Sequence, residues 1–216
     1  MKTYLRLSMN KTGDLPPEFR SDDVRYTETL VKVFLEEYTK EGDLVLDPFM
    51  GFGTTLFAAE KLGRIAYGIE YEQSRCNYVR SLLKNPEQAI NSDSTKLDSI
   101  DLPSFDFSIT SPPYMGKTHK ENPFTSYSTE FSGYPEYLQQ IKEIYEQLKR
   151  KMKPHAHIVL EVANLKHEDG SFTTLAWDIA NALSNVLTFK GEIIVAWDKP
   201  YGYGYDHSYC LVFTLS

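Results

Sequence analysis

Residues 43 to 55 read DLVLDPFMGFGTT. An apolar, extended-looking run stops at Asp47 and Pro48, and two glycines, Gly51 and Gly53, stand where strand gives way to a helix opened by Thr54 and Thr55. Glycine there lets the backbone approach a ligand closely, at a helix start whose free N–H groups favour negative charge. The spacing also suits a tight strand-to-helix turn with no ligand. The third position of a dinucleotide fingerprint is Leu56 instead of glycine, which weakens a nicotinamide reading.

Outward from this turn the chain alternates short β-like runs with helical ones, the pattern of parallel strands joined by crossover helices. Helical spacing covers 27–40, after a polar, proline-containing lead. Strands are predicted at 43–49, 64–71, 88–93, 105–111 and 157–163, with helices near 54–62, 73–84, 134–153 and 172–187. The last two strands, 191–198 and 208–215, have only a Gly/Tyr-rich loop between them and must pair antiparallel. The expectation is an α/β chain with a seven-stranded, mostly parallel sheet, a C-terminal antiparallel hairpin and helices on both faces. One domain over 1–216 accounts for the length: a lead (1–25), a first half (26–100) and a second half (101–216).

Composition excludes several classes. The chain is 41% hydrophobic and 25% charged, which is ordinary globular usage. It has no apolar stretch of membrane-spanning length and no signal-like start, and its two cysteines, Cys76 and Cys210, make no disulfide framework. A cytoplasmic protein with no membrane partner is the expectation. Five histidines in no ligand spacing argue against a metal site. A net charge of −7 argues against coating nucleic acid through a general positive field. Basic residues nevertheless gather at Lys117, His119 and Lys120.

Three successive predicted strands end in acids: Asp47, Glu70 and Asp93. Glu70, 19 residues after Gly51, is placed to accept two ribose hydroxyls, and Asp93 an adenine amino proton. Each acid alone reads equally as a strand-end or capping residue. Together with the glycine turn they describe a site for S-adenosyl-L-methionine.

The stretches VLDPFMGFGTT, GIEYEQSR, NSDS and TSPPY, in that order, resemble the S-adenosylmethionine-dependent amino-methyltransferases of DNA. Ser in place of Asp or Asn before Pro-Pro-Tyr is similar to the cytosine-N4 branch. The resemblance runs from about Tyr26 to the C-terminus and implies a Rossmann-like class I methyltransferase fold. It implies cofactor contacts by Asp47, Pro48, Phe49, Gly51, Gly53, Thr54 and Thr55, with Glu70 at the ribose and Asp93 and Ser94 at the adenine. Tyr26, Thr27 and Glu28 match the segment flanking the methionine end.

The Ser111-Pro112-Pro113-Tyr114 turn then acquires a chemistry. An exocyclic amino group is a poor nucleophile because its lone pair is delocalised into the ring. Two fixed acceptors, the Ser111 hydroxyl and the Pro112 carbonyl, can each take one amino hydrogen and aim the lone pair at a methyl donor. Tyr114 is expected to stack on a base flipped from the duplex. Carbon-5 methylation would need a cysteine nucleophile, and neither cysteine lies beside such a turn. Without a ligand, Ser-Pro-Pro-Tyr is a strand terminator carrying a packed tyrosine.

Two loops are expected on the substrate side: 115–135, with Lys117, His119, Lys120, Phe124 and Tyr127, and 197–209, with Tyr203 and His207 among further aromatics. Little length is left for a separate target-recognition domain, so specificity is expected to be short or to depend on a homodimer or a separate partner chain. DNA is the leading polymer, with cytosine N4 ahead of adenine N6. Guanine-N2 methylation of RNA, protein glutamine methylation and a non-catalytic cofactor-binding subunit remain alternatives.

Overall fold

The computed structural model describes residues 2–11, 13–125 and 133–215. In chain order the strands are β1 (Tyr4–Leu7), β2 (Leu44–Asp47), β3 (Ile65–Glu70), β4 (Ala89–Asn91), β5 (Phe105–Thr110), β6 (Met152–Val162), β7 (Leu165–Lys166), β8 (Phe172–Thr173), β9 (Thr188–Trp197) and β10 (His207–Thr214). The helices are α1 (Glu28–Tyr38), α2 (Thr54–Lys61), α3 (Gln73–Leu82), α4 (Tyr134–Lys151) and α5 (Leu175–Leu183).

β2 lies near the middle of the sheet because Val45 and Leu46 are fully buried, one on each face, and a strand buried on both faces must be apolar on both. The strand order is β1-β9-β10-β6-β5-β2-β3-β4. β4, β3, β2, β5 and β6 run parallel, β10 is antiparallel to both β6 and β9, and β1 lies parallel to β9. On one face α1, α2 and α3 cover the sheet through Leu30, Phe34, Leu56 and Val79; on the other α4 and α5 do so through Tyr137, Ile141, Tyr145 and Ile179.

Two expectations are corrected. The sheet has eight strands instead of seven, because Tyr4–Leu7 of the polar lead adds an edge strand to β9. Leu5 and Leu7 pack on one core while Tyr4 points away, 55% exposed, and so short an alternation is hard to read beside a proline-rich run. The helix expected over 172–187 begins only at Leu175, since Phe172 and Thr173 pair with β7 in a two-stranded ribbon.

The register fixes the site. Thr110 pairs with Leu160 at the carboxyl ends of two parallel strands, so the next residues, Ser111 and Glu161, are neighbours. On the other side of β6, Cys210 pairs with Glu161. All five parallel strands therefore deliver their C-terminal ends to one crevice, where ligands of open α/β sheets bind.

Candidate active site

A cavity of about 940 Å³ opens along that crevice, large enough for a nucleoside-sized ligand with room beside it. Its walls include Tyr26, Thr27, Phe49, Gly51, Glu70, Asp93 and Ser94 at one end and Ser111, Pro112, Tyr114 and Tyr203 at the other. The two predicted clusters thus share one continuous space.

The two glycines have different reasons to be glycine. Both have positive φ, 52° at Gly51 and 81° at Gly53. A Cβ at Gly53 would stand 2.8 Å from Val79 Cγ1, so that residue is small to let the start of α2 pack on α3. A Cβ at Gly51 would meet no protein atom within 4 Å, and Gly51 lines the cavity. That open cradle is the space an approaching ligand would fill.

The acids divide similarly. Glu70 accepts the Glu72 N–H at 2.8 Å and faces the cavity; burial pushes its pKa up, against the Glu72 N–H and the nearby Arg75 charge. Asp93 Oδ1 caps the turn after β4 by accepting the Thr95 N–H at 2.9 Å and the Thr95 hydroxyl at 2.7 Å. Its Oδ2 has Lys96 Nζ 3.9 Å away, and the residue lines the cavity, so Asp93 is both a cap and a candidate ligand group.

Asp47 lies beneath the floor and not in the lining. Its carboxylate accepts the Thr110 hydroxyl at 2.6 Å, the Phe49 N–H at 3.0 Å, and the Thr55 and Tyr26 hydroxyls. Asp47, Gly53 and Thr55 therefore shape the loop from below. Thr27 caps α1 by accepting the Leu30 N–H, and the Ser94 hydroxyl donates to the Pro48 carbonyl, tying the β4 turn to the glycine loop. Glu28 is drawn off to Lys32 and Lys61.

In the Ser-Pro-Pro-Tyr turn, the Tyr137 hydroxyl donates to the Pro113 carbonyl at 2.8 Å. Among the described residues no donor reaches the Pro112 carbonyl, which stays free as an acceptor beside Ser111. Tyr114 departs from a simple stacking platform. Its hydroxyl points inward, 3.0 Å from the Tyr201 hydroxyl and 3.3 Å from Glu161 Oε2, while its ring lies 5.4 Å from that of Tyr203.

Glu161 is the residue that sequence reasoning missed. It is fully buried in β6, and its Oε2 accepts the Tyr201 hydroxyl at 2.9 Å as well as that of Tyr114. Among the described residues Oε1 has no partner in hydrogen-bonding geometry. Burial raises its pKa, while the Ser208, Tyr201, Ser111 and Tyr114 hydroxyls pull the other way. The signal was present: Glu161 is the one charged residue inside the apolar run IVLEVA, 158–163.

Several expected substrate residues stand outside the cavity. Lys117 is engaged by Asp178 at 3.5 Å and lies over the Tyr134 ring. His119 Nδ1 accepts the Gly116 N–H, and Lys120 is exposed. His207 packs edge-on between Tyr205 and Tyr209. Phe124 does line the cavity, but against Phe49 and stacked on Tyr137, toward the Asp93 end. Tyr127 lies outside the described residues. Conversely, the lead supplies Met9, Lys11 and Arg25 to the cavity wall, none of which its sequence suggested.

Comparison with known proteins finds likeness over the first part of the chain. Residues 20–81 match the family model of an N6/N4 DNA methylase. The chain is similar to the amino-methyltransferases of DNA. It is 42% identical over 57 residues to the type II methyltransferase M2.DpnII of Streptococcus pneumoniae, covering 26% of this chain and 21% of that protein. To the type II methyltransferase M.BamHI of Bacillus amyloliquefaciens it is 46% identical over 50 residues, 23% of this chain and 11% of that one. The matches thus span about a fifth and about a tenth of these relatives.

The fold is that of class I S-adenosylmethionine-dependent methyltransferases. TrmN from Thermus thermophilus superposes with a TM-score of 0.62 at 15% identity, over 95% of this chain and 55% of that one. An S-adenosylmethionine-dependent methyltransferase from Archaeoglobus fulgidus gives 0.58 at 15% identity, over 92% and 100%. S-Adenosyl-L-methionine is the cofactor that goes with this fold, and the donor set fits it: Glu70 at the end of β3, Asp93 in the turn after β4, and between them a glycine, Gly51, whose Cβ position is open. No helix among the described residues is long and apolar enough to cross a membrane.

Proposed function

We propose that this protein transfers a methyl group from S-adenosyl-L-methionine to an exocyclic amino nitrogen of a DNA base, cytosine N4 first and adenine N6 second. The observation that carries the reading is the continuity of one cavity from Glu70, Gly51 and Asp93 to Ser111 and Pro112. Bound at the first end, the cofactor supplies an electrophilic methyl group. The chain's own residues do the rest by orientation. Ser111 Oγ and the Pro112 carbonyl each accept one amino hydrogen, which draws the nitrogen toward tetrahedral geometry and turns its lone pair across the cavity. Tyr114 and Tyr203 form the aromatic wall for a base turned out of the stack.

In this reading residues 1–216 act as one methyltransferase domain, cofactor half first and catalytic half second. Lys117, His119 and Lys120 act at the rim as phosphate contacts, with Tyr127 and His207, the first residue of β10, as further substrate contacts. The choice of site is left to those loops, to a second copy of the chain or to a separate specificity partner. The DNA methylase family model that matches residues 20–81 supports DNA as the polymer.

The test is to incubate the protein with methyl-labelled S-adenosylmethionine and, separately, unmodified DNA, tRNA and a protein extract. Nucleoside or peptide mass spectrometry then identifies the product. Label in N4-methylcytosine supports the first reading, and label in N6-methyladenine supports the second. Label in RNA or protein alone overturns both. Ser111→Ala is expected to lower turnover about 100-fold or more while cofactor affinity, read by calorimetry, stays within about twofold.

A further inference from the structure

A hydroxyl can orient an amine, but it cannot keep the proton that the methylated nitrogen must lose. Where the first motif position is aspartate, a carboxylate stands there already; here it is Ser111. The register of β5 and β6 sets Glu161 beside Ser111, with Tyr114 and Tyr201 holding Oε2 and with Oε1, among the described residues, unpartnered in a fully buried site. An unpaired buried carboxylate oxygen costs stability, and such groups persist where they have work to do.

We infer that Glu161 acts through Ser111 as a positioning residue: it takes the Ser111 hydroxyl hydrogen, leaving the Oγ lone pairs for the substrate amine, and it receives the proton released after methyl transfer. The inference rests on the amino-methyltransferase reading above. When the substrate nitrogen bonds the methyl carbon, the carbon–sulfur electron pair stays on sulfur and the positive charge passes to nitrogen. One N–H proton then moves to Ser111 Oγ as the Ser111 proton moves to Glu161. Nitrogen ends neutral and Glu161 ends as the neutral acid, which proton exchange with solvent resets.

The surroundings suit an acceptor. Facing Glu161 are Ser111 and Tyr114 from the turn after β5, Tyr201 and Tyr203 from the last loop, Ser208 and Cys210 from β10, and Tyr26 from before α1. All are neutral at pH 7, and among the described residues no cation pairs with Glu161. Burial therefore lifts its pKa unopposed by a positive charge, and a carboxylate with a raised pKa is a better proton acceptor. Trp197 Nε1 donates to the Ser208 hydroxyl at 3.0 Å, and the Trp197 ring stacks on Tyr201, so the cluster is braced from β9 as well.

The decisive experiment pairs Glu161→Gln with Ser111→Asp, using labelled S-adenosylmethionine and plasmid DNA from a methylation-deficient host. Glu161→Gln is expected to lower kcat about 100-fold, to leave KM for DNA and calorimetric cofactor binding within about twofold, and to abolish the fall of kcat at acid pH. Ser111→Asp alone sets two carboxylates side by side and is expected to be poorly active. The double variant, with one carboxylate at the motif position, is expected to recover at least tenfold over Glu161→Gln. Wild-type kcat and an intact acid limb in Glu161→Gln would overturn the inference, as would a double variant no better than either single one.

A second arm needs no turnover. Infrared titration of carboxyl bands is expected to show one glutamic acid deprotonating above the usual range, absent in Glu161→Gln and shifted further up in Ser111→Ala and Tyr201→Phe. If the wild type methylates no DNA, the substrate reading fails while this arm still tests the pair. An unshifted band in Ser111→Ala removes the Ser111–Glu161 contact.

Discussion

Two buried carboxylates, Asp47 and Glu161, lie at the ends of strands in one sheet, separated by β5, and the protein treats them differently. Asp47, under the cofactor end, accepts from Thr110, Thr55, Tyr26 and the Phe49 N–H, so both oxygens are engaged. Glu161, under the catalytic end, has one oxygen shared by two tyrosines and one that, among the described residues, has no partner. Burial raises the pKa of both, yet only Asp47 has a closed shell of donors. The difference separates a structural clamp from a group kept ready to exchange a proton: saturation fixes geometry, and a vacant acceptor site leaves room for change.

Removing the clamp has the largest expected effect. Asp47→Ala strands three hydroxyls at the junction of β2, β5 and α2 and is expected to cost about 3–5 kcal/mol in denaturant unfolding. Glu161→Gln at pH 7 is expected to be neutral or stabilising, and equal losses in the two would erase the contrast. Next come the glycines. Gly53→Ala meets Val79 and a left-handed backbone and is expected to cost about 2–3 kcal/mol of stability. Gly51→Ala is expected to cost about 1–2 kcal/mol, from φ alone, while weakening cofactor binding measurably more than Gly53→Ala does.

A smaller effect concerns pH. An acid with a raised folded pKa binds more protons folded than unfolded, so its contribution to stability falls as pH rises from its unfolded value of 4.5 through the raised one. Melting of wild type against Glu161→Gln is therefore expected to favour the variant increasingly with pH, by about 1.4 kcal/mol for each tenfold by which folding tightens the hold of Glu161 on its proton. Activity runs the opposite way, since the acceptor must be ionised. Smallest of all, Lys117→Ala loses a half-exposed pair with Asp178 and is expected to change stability by no more than about 0.5 kcal/mol.

Much of the fold was legible because its signals are local. The apolar runs at 44–46 and 105–109, the glycines after Asp47 and the thin loop between β9 and β10 each specify a neighbourhood within a few residues. The edge strand Tyr4–Leu7 was not, since its pairing with β9 joins residues about 190 positions apart and rests on only four residues. The lead's contribution to the cavity was hidden for the same reason. Lys117 and His207 were legible as ligand-type residues, but the neighbours that hold them, Asp178 for the first and Tyr209 along β10 for the second, were not.

By itself the sequence determined an α/β sheet of mostly parallel strands, the glycine turn, the acids at successive strand ends and the rigid Ser-Pro-Pro-Tyr corner, because each depends on side-chain volume, backbone freedom or periodicity read over a short window. Only the tertiary structure decided which glycine is a cradle and which a packing contact, which carbonyl of the corner Tyr137 holds, and that a lone glutamate in an apolar strand stands beside Ser111. Those are properties of strand register and of burial by distant elements, and a window along the chain contains neither.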